Sequence, residues 1–358
     1  MHIGFESSQL HCLAGGQSAI DIKRLNLTTL EEAEAFLVNY GFDYQIDEQR
    51  ERLWYYYRRA FVLLTESLGY AESDFPAVLK DRKDLKDLRL LLLFASDTSD
   101  EKLQKWSCAL LRAIHVFVHS ENDLFFTFPE EIQRQILGAI EKNILIDGSL
   151  HKTFLKMDGS GFEPVELKSF EMKSFKGSTS TVIKLLAKPD ALAMKIYDKL
   201  GVRFVTKNLF DTFRVIRFLT GTNMISFPHI MPDQSSNNLF PVDLFSELVV
   251  QIQADHPNAT SDEISQILLS QLESSDKKSD LFKKSNQFSG YDYQFIKFIT
   301  RKLIRVQSAD GKQFSFFFPY EVQIMDQSAH EKILSGPSVH EAYKERQKNA
   351  ARARLFPI

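Results

Sequence analysis

Cysteine is nearly absent. The chain holds two, Cys12 and Cys108, with no metal-ligand spacing between them. That argues against a cysteine-based metal site and fits a reduced, cytoplasmic setting. A surplus of one charge is also missing. The 44 basic residues stand against 47 acidic ones, for a formal charge of −3, so whole-protein electrostatic attraction to nucleic acid is excluded and only a local patch is left. Long apolar runs are lacking too. Leu88–Ala95 is too short to cross a bilayer. Met1-His2-Ile3-Gly4 opens no basic region followed by an apolar core, so no secretory leader is expected. The Gly-x-x-x-x-Gly-Lys frame of a Walker phosphate loop does not occur, and no internal repeat is evident. What remains is a chain 44% hydrophobic and 25% charged, with 30 phenylalanines to fill a core. Its 358 residues suit two domains.

The pattern from Thr28 to Leu145 is helical. Thr28-Thr29-Leu30-Glu31 reads as a helix start with an acid at the capping-box spacing. Helix formers recur through Arg50–Leu68, Leu85–Ala95 and Glu101–His119, and Pro129-Glu130-Glu131 reads as another start. Residues 1–150 are therefore expected to form an all-α domain. The pattern changes at Asp147-Gly148 and again at Asp158-Gly159-Ser160-Gly161. Strand-type segments follow at Gly201–Thr206, Phe295–Gln307, Phe314–Phe318 and Val322–Met325, with a turn signal at Asp310-Gly311 and a helix over Leu209–Leu219. The fold class expected is α+β, with a mixed β-sheet domain flanked by helices over 151–345. Residues 227–284 read as an insertion, with Pro, Ser and Asn around Pro232–Asn238 and helices near Asp243–Gln253 and Ser261–Leu272. Residues 346–358 read as an exposed basic tail, helical over Glu345–Arg354.

Four groups of residues carry candidate chemistry. Tyr320-Glu321-Val322-Gln323-Ile324 alternates as a strand, with Glu321 and Gln323 on one face. Asp198 opens Asp198-Lys199-Leu200-Gly201-Val202-Arg203, an acid at a strand entry with a glycine for close backbone approach. Lys176, Ser180 and Lys184 recur every four residues and share a face if helical. Gly290-Tyr291 supplies an aromatic ring able to stack on a base. Taken one at a time, each also reads as turn chemistry, a wet helix face or ordinary packing.

Taken in order, these segments resemble the synthetase (nucleotidyltransferase) domain of the RelA/SpoT family, which makes and uses alarmone nucleotides such as guanosine tetraphosphate in the stringent response. The run Glu321-Val322-Gln323-Ile324, then His330, then His340-Glu341-Ala342-Tyr343-Lys344-Glu345 is the most specific part, and the resemblance covers about 168–345 apart from the insertion. It implies a magnesium-dependent transferase that moves a phosphate-containing group from ATP to a guanine nucleotide or RNA hydroxyl. Mg2+ would be held by Asp198 and Glu321. Lys176, Ser180, Lys184 and Arg203 would meet the donor, and Tyr291 and Gln323 the acceptor. No DNA or membrane partner is implied.

The chain departs from the family pattern at several places. The family His falls on Phe295 and its Ser on Tyr293; the Arg ahead of the Lys motif falls on Ser174; and the Arg-Thr after Glu-Val-Gln-Ile becomes Met325-Asp326. Phenylalanine neither donates a hydrogen bond nor carries a proton. A divergent transferase and a catalytically degenerate nucleotide-sensing or partner-binding module therefore both stay open. The family's related hydrolase domain needs a His-Asp dipeptide, and this chain has none. His115 and His119, four apart on a helix with Asp123 following, have a spacing that could hold a metal, though histidines on an apolar helix are more often packed and hydrogen-bonded.

Overall fold

The structure is a computed structural model that describes residues 14, 18–121, 124–173, 178–188, 197–274, 294–307, 311–335 and 340–356. It divides into two compact units that are not continuous in sequence. One is drawn from Met1–Asp123, Gly177–Ile196 and Lys344–Ile358, the other from Leu124–Lys176 and Tyr197–Tyr343.

The first unit is helical. Helix α1 (Leu30–Tyr40) starts at a reciprocal capping box between Thr29 and Glu32, one residue later than the sequence pattern places it. Gly41 ends it in the left-handed conformation, at φ 103°. Helix α2 (Asp47–Val62) runs directly into a π-helical turn, Leu63–Ser67, where Leu68 N–H bonds to Leu63 O at 2.9 Å. Helices α3 (Arg89–Phe94) and α4 (Glu101–Glu121) follow. Their apolar stripes meet in one core with Trp54, Leu64, Leu91 and Phe117. Each such fully buried large side chain contributes about 1.5–3 kcal/mol.

The second unit is built on a seven-stranded mixed sheet in the order β1-β2-β3-β4-β7-β6-β5. Its strands are β1 (Ile144–Asp147), β2 (Lys152–Leu155), β3 (Val165–Lys173), β4 (Gly201–Thr206), β5 (Ile230–Asn237), β6 (Ile296–Gln307) and β7 (Gln313–Asp326). Together with the flanking helices this is the expected α+β class. Strands β4 and β7 pair in parallel and the other neighbours are antiparallel. Helix α5 (Pro129–Glu141) has its proline in the first turn. Its Ile132, Ile136 and Ile140 share a core with the rest of this unit.

Helix α6 (Ser178–Ala187) belongs to the first unit and packs on α4. Helix α7 (Leu209–Gly221) is capped by Asn208, whose Oδ1 accepts from Asp211 N–H at 2.9 Å. Helices α8 (Val242–Asp255) and α9 (Ser261–Ser274) complete the layer on α7. Val202, Phe204, Val322 and Ile324 point into that layer. Their odd-numbered neighbours face the other way, toward α10 (Gln327–Ser335).

Three expectations need correction. Phe314–Phe318 and Val322–Met325 are one strand, running through Pro319. Strand β4 pairs with Glu321–Asp326, so among the described residues β7 has a strand neighbour on one side alone at Pro319, where proline is tolerated. The segment around Pro232–Asn238 is an edge strand with a bulge between Met231 and Ser236, and it accommodates Pro232 for the same reason. The basic stretch near the C-terminus is indeed a helix, α11 (His340–Leu355), but one side of it is buried. Ala351 and Leu355 lie in the core of the first unit, and Arg354 donates to the carbonyls of Leu185, Leu186 and Lys188. Among the described residues, no helix is long and apolar enough to cross a membrane.

Candidate functional site

The face of the sheet opposite the main core carries a set of charges in register. Two rungs cross β3, β4, β7 and β6. One is Lys173, Gly201, Glu321 and Ile299; the next is Glu171, Arg203, Gln323 and Lys297. Glu321 is buried, 6% exposed at its side chain, and its Oε1 lies 2.8 Å from Lys173 Nζ. Its other oxygen is 3.8 Å from Lys297 Nζ. Lys173 sits two strands away, about 9–10 Å at ordinary strand spacing. The ion pair therefore spans the strand between, directly over Gly201. A Cβ at Gly201 would meet Glu321 O at 3.1 Å, Glu321 Cβ at 3.2 Å and Lys173 Cδ at 3.6 Å. The glycine in Asp198-Lys199-Leu200-Gly201 is thus required by space, with the backbone approach holding Glu321 N–H on Leu200 O at 2.9 Å.

The second rung is closed by direct hydrogen bonds. Arg203 Nε donates to Gln323 Oε1 at 3.1 Å and Nη1 to Glu171 Oε2 at 2.9 Å. His330, on α10, brings Nε2 to 3.4 Å from Glu171 Oε1. Beyond this rung the face turns apolar. Val205, Met325 and Ala329 form a small cluster with Phe295, Ile333 and Leu239 packed against it. Asp326 Oδ1 accepts from Ala329 N–H at 2.8 Å and so caps α10. Phe295 and Met325, where the family pattern has a histidine and an arginine, therefore fill one apolar plug, and Asp326 has a structural task.

Of the residues singled out from the sequence, Arg203, Glu321 and Gln323 stand together on this face. Asp198 is half-buried three residues before β4 in the same unit. Ser180 is exposed and Lys184 half-buried on α6, in the helical unit. Lys176 and Tyr291 lie outside the described residues, as do Ser174 and Tyr293. Lys173, Lys297 and Glu171 carried no role in the sequence reading. The alternation Glu171-Met172-Lys173 places an acid and a base on one strand face, and that was the available signal.

His115 and His119 serve packing. Their rings lie 4.3 Å apart, and Tyr40 Oη is 2.8 Å from His115 Nδ1. Burial pushes the His115 imidazole down to about 4 and that of His119 in the same direction. Asp123 lies outside the described residues. Among those described, no group of three or more His, Cys, Asp or Glu converges on a point that could hold a metal ion.

No family model matches the chain, and no curated protein matches it. Among solved structures, the small alarmone synthetase 1 of Bacillus subtilis bound to its product pppGpp is similar over 52% of this chain and 72% of that one, at 14% identity and a TM-score of 0.26. A second structure of that synthetase covers 52% and 73%, at 13% identity and a TM-score of 0.25. At these TM-scores the likeness is distant.

Proposed function

We propose that the polar face of β3, β4, β7 and β6 binds the phosphates of a nucleotide, and that the sheet unit is a divergent RelA/SpoT-like transferase moving a phosphate-containing group from ATP to a guanine nucleotide or RNA hydroxyl. The observation that carries this reading is Glu321 held between Lys173 and Lys297 above Gly201. A buried carboxylate needs its ammonium partners. An incoming phosphate offers those ammonium groups a second anion. Asp198 and Glu321 are the carboxylates that would then hold Mg2+. The ion takes one or two carboxylates plus phosphate oxygens and water, and when bound it neutralises charge developing on the transferred group. Arg203 keeps Gln323 fixed at the rim, and Lys173 and Lys297 hold phosphate oxygens as point charges.

A second reading, nucleotide binding without turnover, is favoured by the apolar plug of Phe295 and Met325. Those side chains supply neither a proton nor a cation.

Purified protein with magnesium and phosphate-labelled ATP, offered guanine nucleotides or bulk RNA, tests both. Label transfer falling on the order of a thousandfold in Glu321→Gln and Asp198→Asn supports the first reading. Calorimetric nucleotide binding without transfer supports the second. Neither transfer nor binding sinks both.

A further inference from the structure

The helical unit carries a cationic, aromatic surface that the sheet unit's proposed chemistry does not use. Tyr55, Arg58, Arg59 and Val62 recur at helical spacing on one face of α2. They line a cavity of about 360 Å³ that continues onto Leu63 and Ser67 of the π-helical turn. Such turns are frequent at functional sites. A second groove, of about 400 Å³, shares Arg58 and Val62 and extends to Phe61, Lys80, Arg82 and Lys83.

Cations dominate both linings. Asp81 is the acid present, and its carboxylate is turned to the backbone N–H groups of Lys83 and Asp84, at 2.6 and 3.0 Å. Two of the guanidinium groups are already neutralised, Arg82 by Glu51 and Arg59 by Glu121. Arg58, Lys80 and Lys83 are exposed and stay available to an anion. Flat groups alternate with these charges. The Arg59 guanidinium stacks 4.4 Å from the Phe117 ring centroid and 5.3 Å from that of Tyr55. Tyr55 itself is 44% exposed.

We propose that this surface binds single-stranded nucleic acid. Unpaired bases stack on aromatic rings and guanidinium planes while the backbone follows cations. Two grooves that meet at Arg58 and Val62 fit a ligand whose base and phosphate repeat, which a lone nucleotide does not do. The near-neutral charge of the whole chain is no obstacle, because the attraction is local.

Fluorescence anisotropy of the full chain with a labelled oligouridylate and the matching oligothymidylate tests this. Binding should weaken with salt at a log–log slope of about −2, the value for three phosphates met by Arg58, Lys80 and Lys83. Tyr55→Ala should weaken it about tenfold at constant salt, and Arg58→Ala with Lys83→Ala should cut the salt slope to about a third. These side chains are on the surface, so circular dichroism should show the variants folded. Four results would overturn the proposal: no binding at low salt; binding unchanged in these variants but lost in Lys297→Ala; affinity for mononucleotide equal to that for the oligomer; or capture by anionic vesicles with no oligomer binding.

Discussion

The two units differ in what most of their described buried charges are paired with. In the helical unit, alongside ion pairs such as Arg59–Glu121 and Arg354–Asp21, buried cations meet backbone carbonyls. Arg112 donates to Leu355 O at 2.5 Å and Ile22 O at 2.6 Å, Arg352 to Leu68 O at 2.6 Å, and Arg354 to the carbonyls that end α6. Those oxygens are orphans of helix and loop termini, and a guanidinium supplies several donors at once. In the sheet unit, side chains meet side chains across strands: Lys173 and Lys297 on Glu321, Arg203 on Glu171 and Gln323. A carbonyl cannot leave its strand or helix, so the first kind of contact is permanent. An ion pair can trade one partner for a phosphate, so the second kind is open to a ligand. Burial alone therefore does not mark a functional charge; what the charge is paired with does.

The strongest way to break this contrast is to take Lys173 from Glu321. Lys173→Met removes the ammonium that lies 2.8 Å from this buried carboxylate, and should lower stability by about 3–5 kcal/mol, read from denaturant midpoints. Adding Glu321→Leu should recover most of that loss, because an apolar pair of similar volume needs no partner. A double variant no more stable than Lys173→Met would mean the pair is not the cause.

The next effect belongs to the helical unit, where His115 is buried against neutral Tyr40. Above its ordinary 6.5 the imidazole is neutral in both states. Below that, the unfolded chain takes a proton that the folded site refuses until about 4. Stability should therefore fall as pH drops from about 6.5 to 4, by roughly 3 kcal/mol in all. His115→Gln should flatten that slope in thermal melts across the window, and an unchanged slope would assign the acid sensitivity to other groups.

The smallest effect tests the space over Gly201. Gly201→Ala must displace Glu321 by a few tenths of an ångström, which should cost about 1–3 kcal/mol. The same change at Gly138, where nothing lies within 4 Å of the added methyl, should be stabilising or neutral. Equal losses at both would remove the packing explanation.

Much of the sheet unit could be read from period and turn chemistry. Gly201–Thr206 is a strand with the expected bounds, the helix expected over Leu209–Leu219 follows it and runs on to Gly221, and the alternation in Tyr320–Ile324 puts Glu321 and Gln323 on one face. The partners of Glu321 could not be read this way. Lys173 is 148 residues distant in sequence, and register across three strands is a tertiary fact. Strand β5 was hidden because proline and serine at an edge look like a loop. The burial of α11 was hidden because its arginines are spent on carbonyls, leaving a sequence that reads as wet. The capping box slid by one residue because Thr28 and Thr29 both offer a hydroxyl.

That last helix has a consequence for how the chain matures. Ala351 and Leu355 enter a core otherwise supplied largely by residues before 120. A ribosome would thus release every strand of the sheet before the helical unit received its final wedge. Until then, the early helices would wait with apolar surface uncovered, a state in which chains cling to one another. Removing the last turn of α11 should accordingly harm the early helices first.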